Sequence, residues 1–150
     1  MEHIHGLEAE MTKDILIAIT GRQSGAEEDP VTIALPGTYH FTNGKHFIQY
    51  DEIDEKGVVI RNTIKMSNSE VTYSKKDAYN TRMYFELKEM TQMNYQTPYG
   101  NLVFDVFTNR IITLESEERI EVRLEYALSN NGSPVSDNLL QIILKADTSK

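Results

Sequence analysis

The sequence predicts an all-β fold, an up-and-down antiparallel β-barrel of about eight to ten strands. Three observations predict it. Apolar residues recur at every second position in one segment after another, the period of a strand with one buried face. Turn signals, Asn-Gly pairs above all, separate these segments at short intervals. No stretch carries an apolar stripe of helical period, and only residues 7–13 and Ser133 to Asn138 have the makings of brief helical turns. Short turns between successive strands imply a meander, and closing it removes edges that invite aggregation.

The first strand runs from Ile15 to Arg22, with Ile15, Ile17 and Ile19 on one face. From Pro30 to Thr42, Val31, Ile33, Leu35, Gly37, Tyr39 and Phe41 share the inward face. Asn43-Gly44 then favours a two-residue type I′ hairpin, because both positions need positive φ. Counting outward from that turn sets Phe41 opposite His46 and Tyr39 opposite Ile48, so strand 45–52 sends His46, Ile48 and Tyr50 inward. Val58, Ile60, Asn62, Ile64 and Met66 form the next inward face, and a turn near Asn68-Ser69 leads into Val71, Tyr73 and Lys75. Met83, Phe85 and Leu87 follow, then Met93, Tyr95 and Thr97 before the Pro98-Tyr99-Gly100 turn, then Leu102, Phe104 and Val106. The clearest amphipathic strand is 120–128, where Ile120, Val122, Leu124, Tyr126 and Leu128 oppose Glu121, Arg123, Glu125 and Ala127. Asn130-Asn131-Gly132 turns the chain into a last strand carrying Leu140, Ile142 and Leu144.

Composition narrows the function classes. A chain of 150 residues, 39% hydrophobic, reads as a single globular domain over 1–150, with 1–13 a loosely ordered arm. The absence of Cys excludes a disulfide scaffold, a thiolate zinc site and a Cys nucleophile. No apolar run reaches the roughly 18 residues a membrane-spanning helix needs, and the acidic N-terminal stretch lacks the pattern of a secretory leader, so a cytoplasmic location is expected. A net charge of -8 argues against nucleic acid and membrane surfaces as partners.

Distinctive segments recur along the chain: Gly37-Thr38-Tyr39, Phe47-Ile48-Gln49-Tyr50-Asp51-Glu52, Thr63-Ile64-Lys65 and Asn80-Thr81-Arg82-Met83-Tyr84-Phe85-Glu86. Tyr95-Gln96-Thr97-Pro98-Tyr99-Gly100-Asn101-Leu102 and Arg123-Leu124-Glu125-Tyr126-Ala127-Leu128 complete the set. Over roughly residues 30 to 145 these segments, in the family's order, resemble the YwiB-like proteins, a bacterial family of calycin-like barrels with no assigned activity. Where the family carries Arg-x-Gly, this chain has Lys75-Lys76-Asp77. The resemblance implies a calycin-like (lipocalin-like) barrel and no activity, since a shared fold does not carry function.

The candidate site is the polar content of the inward phase. Tyr39, His46, Tyr50, Asn62, Tyr73, Lys75, Tyr95 and Tyr126 all fall there, whereas a core packed only for stability favours aliphatic residues. Tyrosine, with an apolar body and one hydroxyl, suits the wall of a half-polar pocket. The expected function is non-catalytic binding of a small amphiphilic molecule inside the barrel, its anionic head group met by Lys75. The alternative is an interaction module, a homodimer or adaptor, working through the outward Phe47, Tyr84 and Phe107.

No catalytic residues, metal ligands or cofactor are assigned. His40 and His46 fall on opposite faces and cannot share an ion, and His3 and His5 lie on an unanchored arm. The acidic runs Asp51 to Gly57 and Glu115 to Glu118 lack EF-hand spacing and read as solvated loops. Gly21-Arg22-Gln23-Ser24-Gly25 lacks the Lys-Ser/Thr ending of a phosphate loop.

Overall fold

A computed structural model describes residues 12–25, 32–77 and 80–148. The strands are β1 (Lys13–Gln23), β2 (Ile33–Thr42), β3 (Lys45–Ile53), β4 (Val59–Met66), β5 (Glu70–Lys76), β6 (Thr81–Glu86), β7 (Met90–Thr97), β8 (Gly100–Glu115), β9 (Arg119–Asn130) and β10 (Ser133–Ala146). They form one sheet in the order β6-β5-β4-β3-β2-β1-β10-β9-β8-β7, every pairing antiparallel. The first and last strands pair with each other, so the sheet curls into an up-and-down, calycin-like barrel. Pro30, Val31, His3, His5 and most of the 1–13 arm lie outside the described residues, while Lys13 opens β1. No helix among the described residues is long and apolar enough to cross a membrane.

Turn chemistry fixes the register where the sequence says it should. Asn43 and Gly44 take φ of 53° and 75°, the β2–β3 hairpin closes on them, and Phe41 meets His46 while Tyr39 meets Ile48. Alternation then delivers Ile15, Ile17, Ile48, Ile64, Phe85, Leu124, Ile142 and Leu144 to a fully buried interior. Burial of each such side chain stabilises the fold by about 1.5–3 kcal/mol.

The structure corrects one turn assignment and departs from strict alternation at two places. Ser133 to Asn138 is not a helical turn but the start of β10, paired with β9 through an irregularity between Pro134 and Ser136. The long strand β8 contains a bulge between Thr108 and Arg110, where an extra residue reverses which parity faces inward. Val106 and Thr108 are buried before it; after it Ile111 packs on the core and Glu115 reaches the interior. The outward Glu121 is also buried, because Arg119, Arg123 and Gln141 close over its carboxylate with hydrogen bonds of 2.9, 2.6 and 2.8 Å.

The two barrel ends differ. The β2–β3, β4–β5, β6–β7 and β8–β9 connections lie at one end, and the β3–β4, β5–β6, β7–β8 and β9–β10 connections at the other, here called the mouth. The β7–β8 hairpin overhangs the mouth, since Gly100 to Phe104 pair with β7 but extend past the last β8–β9 pair, Asp105 with Ser129. Exposed apolar side chains concentrate on these mouth hairpins: Ile53, Val58 and Val59, then Tyr95, Tyr99 and Leu102, then Val135.

Candidate functional site

The polar inward residues divide into two clusters. Near the mouth, β3, β4 and β5 bring Tyr50, Asn62, Tyr73 and Lys75 together, because Tyr50 pairs with Asn62 and Asn62 with Lys75. Gly37, opposite Tyr50 on β2, is part of the packing: a Cβ there would lie 3.2 Å from the Tyr50 Cβ and 2.7 Å from the Gln49 carbonyl.

The cluster is a directed chain of hydrogen bonds. Asn62, wholly buried, donates through Nδ2 to Glu52 Oε1 at 2.9 Å and to the Ile60 carbonyl at 3.2 Å, and accepts the Tyr73 hydroxyl at Oδ1 at 3.1 Å. With the Tyr73 proton so committed, Tyr73 accepts the hydroxyl of Tyr50. Lys75 Nζ closes the chain on Glu52 Oε1 at 2.9 Å. Polarity therefore runs from Tyr50 through Tyr73 and Asn62 to Glu52, and each bond strengthens the next.

Glu52 is the member that the sequence reading missed. It follows Tyr50 by two residues on the inward phase, which was the available signal, but it had been absorbed into the acidic run read as a loop. Its side chain and that of Lys75 are 37% and 32% exposed, so the pair forms the solvent-facing top of the cluster. Burial raises the Tyr50 and Tyr73 phenols above their ordinary pKa. For Lys75 burial alone would lower the value, but the hydrogen bond it donates to Glu52, together with the charges of Tyr73, Glu52 and Asp77, outweighs burial and holds the ammonium charged.

Tyr39 and His46 form the second cluster, at the end opposite the mouth. His46 Nε2 lies 3.2 Å from Glu115 Oε1, and Nδ1 lies 2.8 Å from the Tyr39 hydroxyl. A carboxylate only accepts, so Nε2 carries a proton toward Glu115, and Nδ1 shares a hydrogen bond with the Tyr39 hydroxyl. Phe41 packs against the same ring at 4.9 Å between centroids. Glu115, assigned to a solvated loop from sequence, is here an inward end-of-strand residue, placed by the β8 bulge.

The other two predicted residues stand apart. Tyr126 packs edge-on against Phe85 at 4.9 Å, and Tyr95 is 45% exposed on the overhanging hairpin. Thr108, which pairs with Tyr126, buries a hydroxyl that has no hydrogen-bond partner among the described residues. The outward aromatics are engaged locally: Phe47 stacks on His40 with Lys65 beside its face, and Tyr84 donates its hydroxyl to Glu70.

The larger clefts lie elsewhere. One of about 690 Å³ beside the β8 bulge includes Arg22, Arg110, Arg123 and Tyr126. Another of about 390 Å³ on the outside of β1–β4 includes Tyr50. A third, of about 440 Å³, lies between β6 and β7. None of these is lined by Asn62, Tyr73 or Lys75. Convergence of buried polar groups, rather than cleft volume, singles out the mouth cluster, because buried polar side chains cost stability unless they are paired.

Residues 17–142 match the family model described as a domain of unknown function, DUF1934. The chain belongs to the DUF1934 family. No curated protein matches its sequence. The crystal structure of the ywiB protein from Bacillus subtilis is similar to this DUF1934 chain with a TM-score of 0.75 at 17% identity, over 91% of this chain and 94% of that one. That likeness carries the barrel fold, and the mouth cluster has to be read on its own chemistry.

Proposed function

We propose that this DUF1934 barrel binds a small amphiphilic molecule at its mouth without transforming it. One observation carries the reading: five polar inward side chains, from Tyr50 to Lys75, converge at the end where the hairpins expose apolar surface. The Glu52–Lys75 pair offers an acceptor beside a charged donor, which suits a head group such as a carboxylic acid that can take Lys75 from Glu52. Tyr95 and Leu102, cross-strand partners on the overhanging hairpin, supply apolar contact for the remainder of the molecule. The chemistry of the cluster favours binding over catalysis, since the raised phenols and the raised ammonium all keep their ordinary protonation states at neutral pH.

Titrating the protein with decanoic acid and with decanol, followed by NMR shifts of the Asn62 side-chain amide, tests this. Saturable shifts with decanoate that weaken in Lys75→Met support it; identical decanoate binding by the variant rejects the head-group role. A second reading, docking of another copy or a protein partner, draws support from the exposed Tyr99, Leu102 and Val103 at the same end. A concentration-dependent dimer lost on Leu102→Asp would favour it.

A further inference from the structure

β6 and β7 follow one another in the chain, yet each has a hydrogen-bonded neighbour on one side only. They touch where they join. There Thr91 donates its hydroxyl to the Tyr84 carbonyl, Lys88 donates its N–H to the Thr108 carbonyl at 2.8 Å, and Leu87 bridges to Thr108. Toward the mouth no backbone hydrogen bond links them among the described residues. The barrel therefore has a seam, open toward the mouth and bounded by two strand edges.

The main-chain groups facing that seam can be assigned. The Tyr84 carbonyl accepts from Thr91 and the Glu86 carbonyl from the Glu89 amide, so the even-numbered β6 residues turn their N–H and C=O away from β5 and toward β7. On the other side, the β7–β8 hairpin closes on Thr97 and Gly100 across two residues, which commits the odd-numbered β7 residues to β8. Gln92, Asn94 and Gln96 thus turn their main-chain groups toward β6.

The same residues line the seam with their side chains. The cleft of about 440 Å³ is lined by Asn80, Arg82, Tyr84, Gln92, Asn94 and Gln96. Mouthward of the Thr91–Tyr84 bond it opens over two residue steps on each strand, from Arg82 to Asn80 and from Asn94 to Gln96, about 7 Å at the rise of an extended chain. One side chain there is cationic and none is a carboxylate, in a chain with 23 acidic and 15 basic residues. Arg82 is exposed and has no ion pair among the described residues.

We propose that the seam receives an extended acidic peptide, which lies between β6 and β7 as an added strand and pairs a carboxylate with Arg82. Unpaired main-chain groups supply register and affinity, as in other cases of strand addition, and the amide side chains supply further donors and acceptors. Each edge also shields the other from indiscriminate edge-to-edge pairing, which leaves the groove open to a single strand. The site is separate from the mouth cluster, and its success or failure does not bear on ligand binding there.

The test uses the full chain and a fluorescein-labelled peptide, acetyl-Thr-Asp-Val-Asp-Val-Thr-amide, read by anisotropy and by amide exchange. Saturable binding, slowed exchange at Arg82, Asn94 and Gln96, and about tenfold weaker binding of the alternately N-methylated peptide are expected. Arg82→Glu, with an unchanged circular dichroism spectrum, should weaken the acidic peptide and favour its Lys-for-Asp counterpart. Equal binding of the N-methylated peptide, or no saturation by about 1 mM, overturns the proposal. So does a dimer in sedimentation that Arg82→Glu dissolves, which would give the seam to a second copy.

Discussion

Asn62→Asp changes one group, an amide nitrogen to an oxygen, at the centre of the mouth cluster. Asn62 is fully buried, and its Nδ2 donates to Glu52 at 2.9 Å. An ionised carboxylate there would face Glu52 at that separation, a repulsion of roughly 6 kcal/mol at an effective dielectric of 20. Keeping the introduced carboxyl protonated is the cheaper course, since its O–H can still donate to Glu52. At pH 7 that costs roughly 4 kcal/mol, the distance from an ordinary Asp pKa near 3.9 at about 1.4 kcal/mol per unit. At pH 5 the same arithmetic gives roughly 1.5 kcal/mol. Urea unfolding of the parent and the variant at both pH values measures the difference. A penalty that does not change with pH, or one below about 1 kcal/mol at pH 7, would refute a hydrogen-bonded contact between Asn62 and Glu52 in a buried site.

Three further outcomes are expected. Thr108→Val should stabilise the protein by about 1 kcal/mol in urea unfolding, because the buried hydroxyl has no partner among the described residues to lose; a loss of that size instead would show that the hydroxyl is satisfied. Gly37→Ala should cost about 1–3 kcal/mol, since the new Cβ meets the fixed Gln49 carbonyl at 2.7 Å, and an unchanged urea midpoint would contradict the close β2–β3 approach. Stability should fall at both ends of the pH scale. Hydrogen bonds from Lys45 and Tyr84 hold Glu70 below the carboxylate range; at Glu121, where burial alone would raise the value, bonds from Gln141, Arg123 and Arg119 lower it. Their stabilisation is complete above about pH 4.5 and is lost as pH falls through the lowered values. Burial raises Tyr39, Tyr50 and Tyr126, so theirs is complete below about pH 10 and is lost as pH rises through the raised values. Unfolding midpoints across pH check this, and a Glu121→Gln variant with an unaltered acid limb would contradict the Glu121 assignment.

What the sequence made legible follows from how locally each feature is encoded. The β2–β3 register needed only Asn43-Gly44 and a count by twos, so the inward placement of Tyr39, His46, Ile48 and Tyr50 could be read directly. The ends of β8 could not be joined in this way. The bulge at Thr108 to Arg110 reverses the inward parity, so Glu115 looked like part of an acidic loop and its contact with His46 was hidden. Glu52 was recoverable by continuing the phase past Tyr50, but Asp51 and Asp54 beside it gave the segment the appearance of a solvated run. The seam had no local signature. Alternation shows β6 and β7 to be strands but does not show that neighbours in sequence fail to pair along their length.

Native mass spectrometry of protein purified gently from its own cells tests the central claim, a ligand held at the mouth, most directly. The expected result is a reproducible extra mass that leaves on denaturation and is absent from Lys75→Met. An apo mass for the parent, together with decanoate binding that Lys75→Met leaves unchanged, would contradict a ligand head group at Glu52 and Lys75.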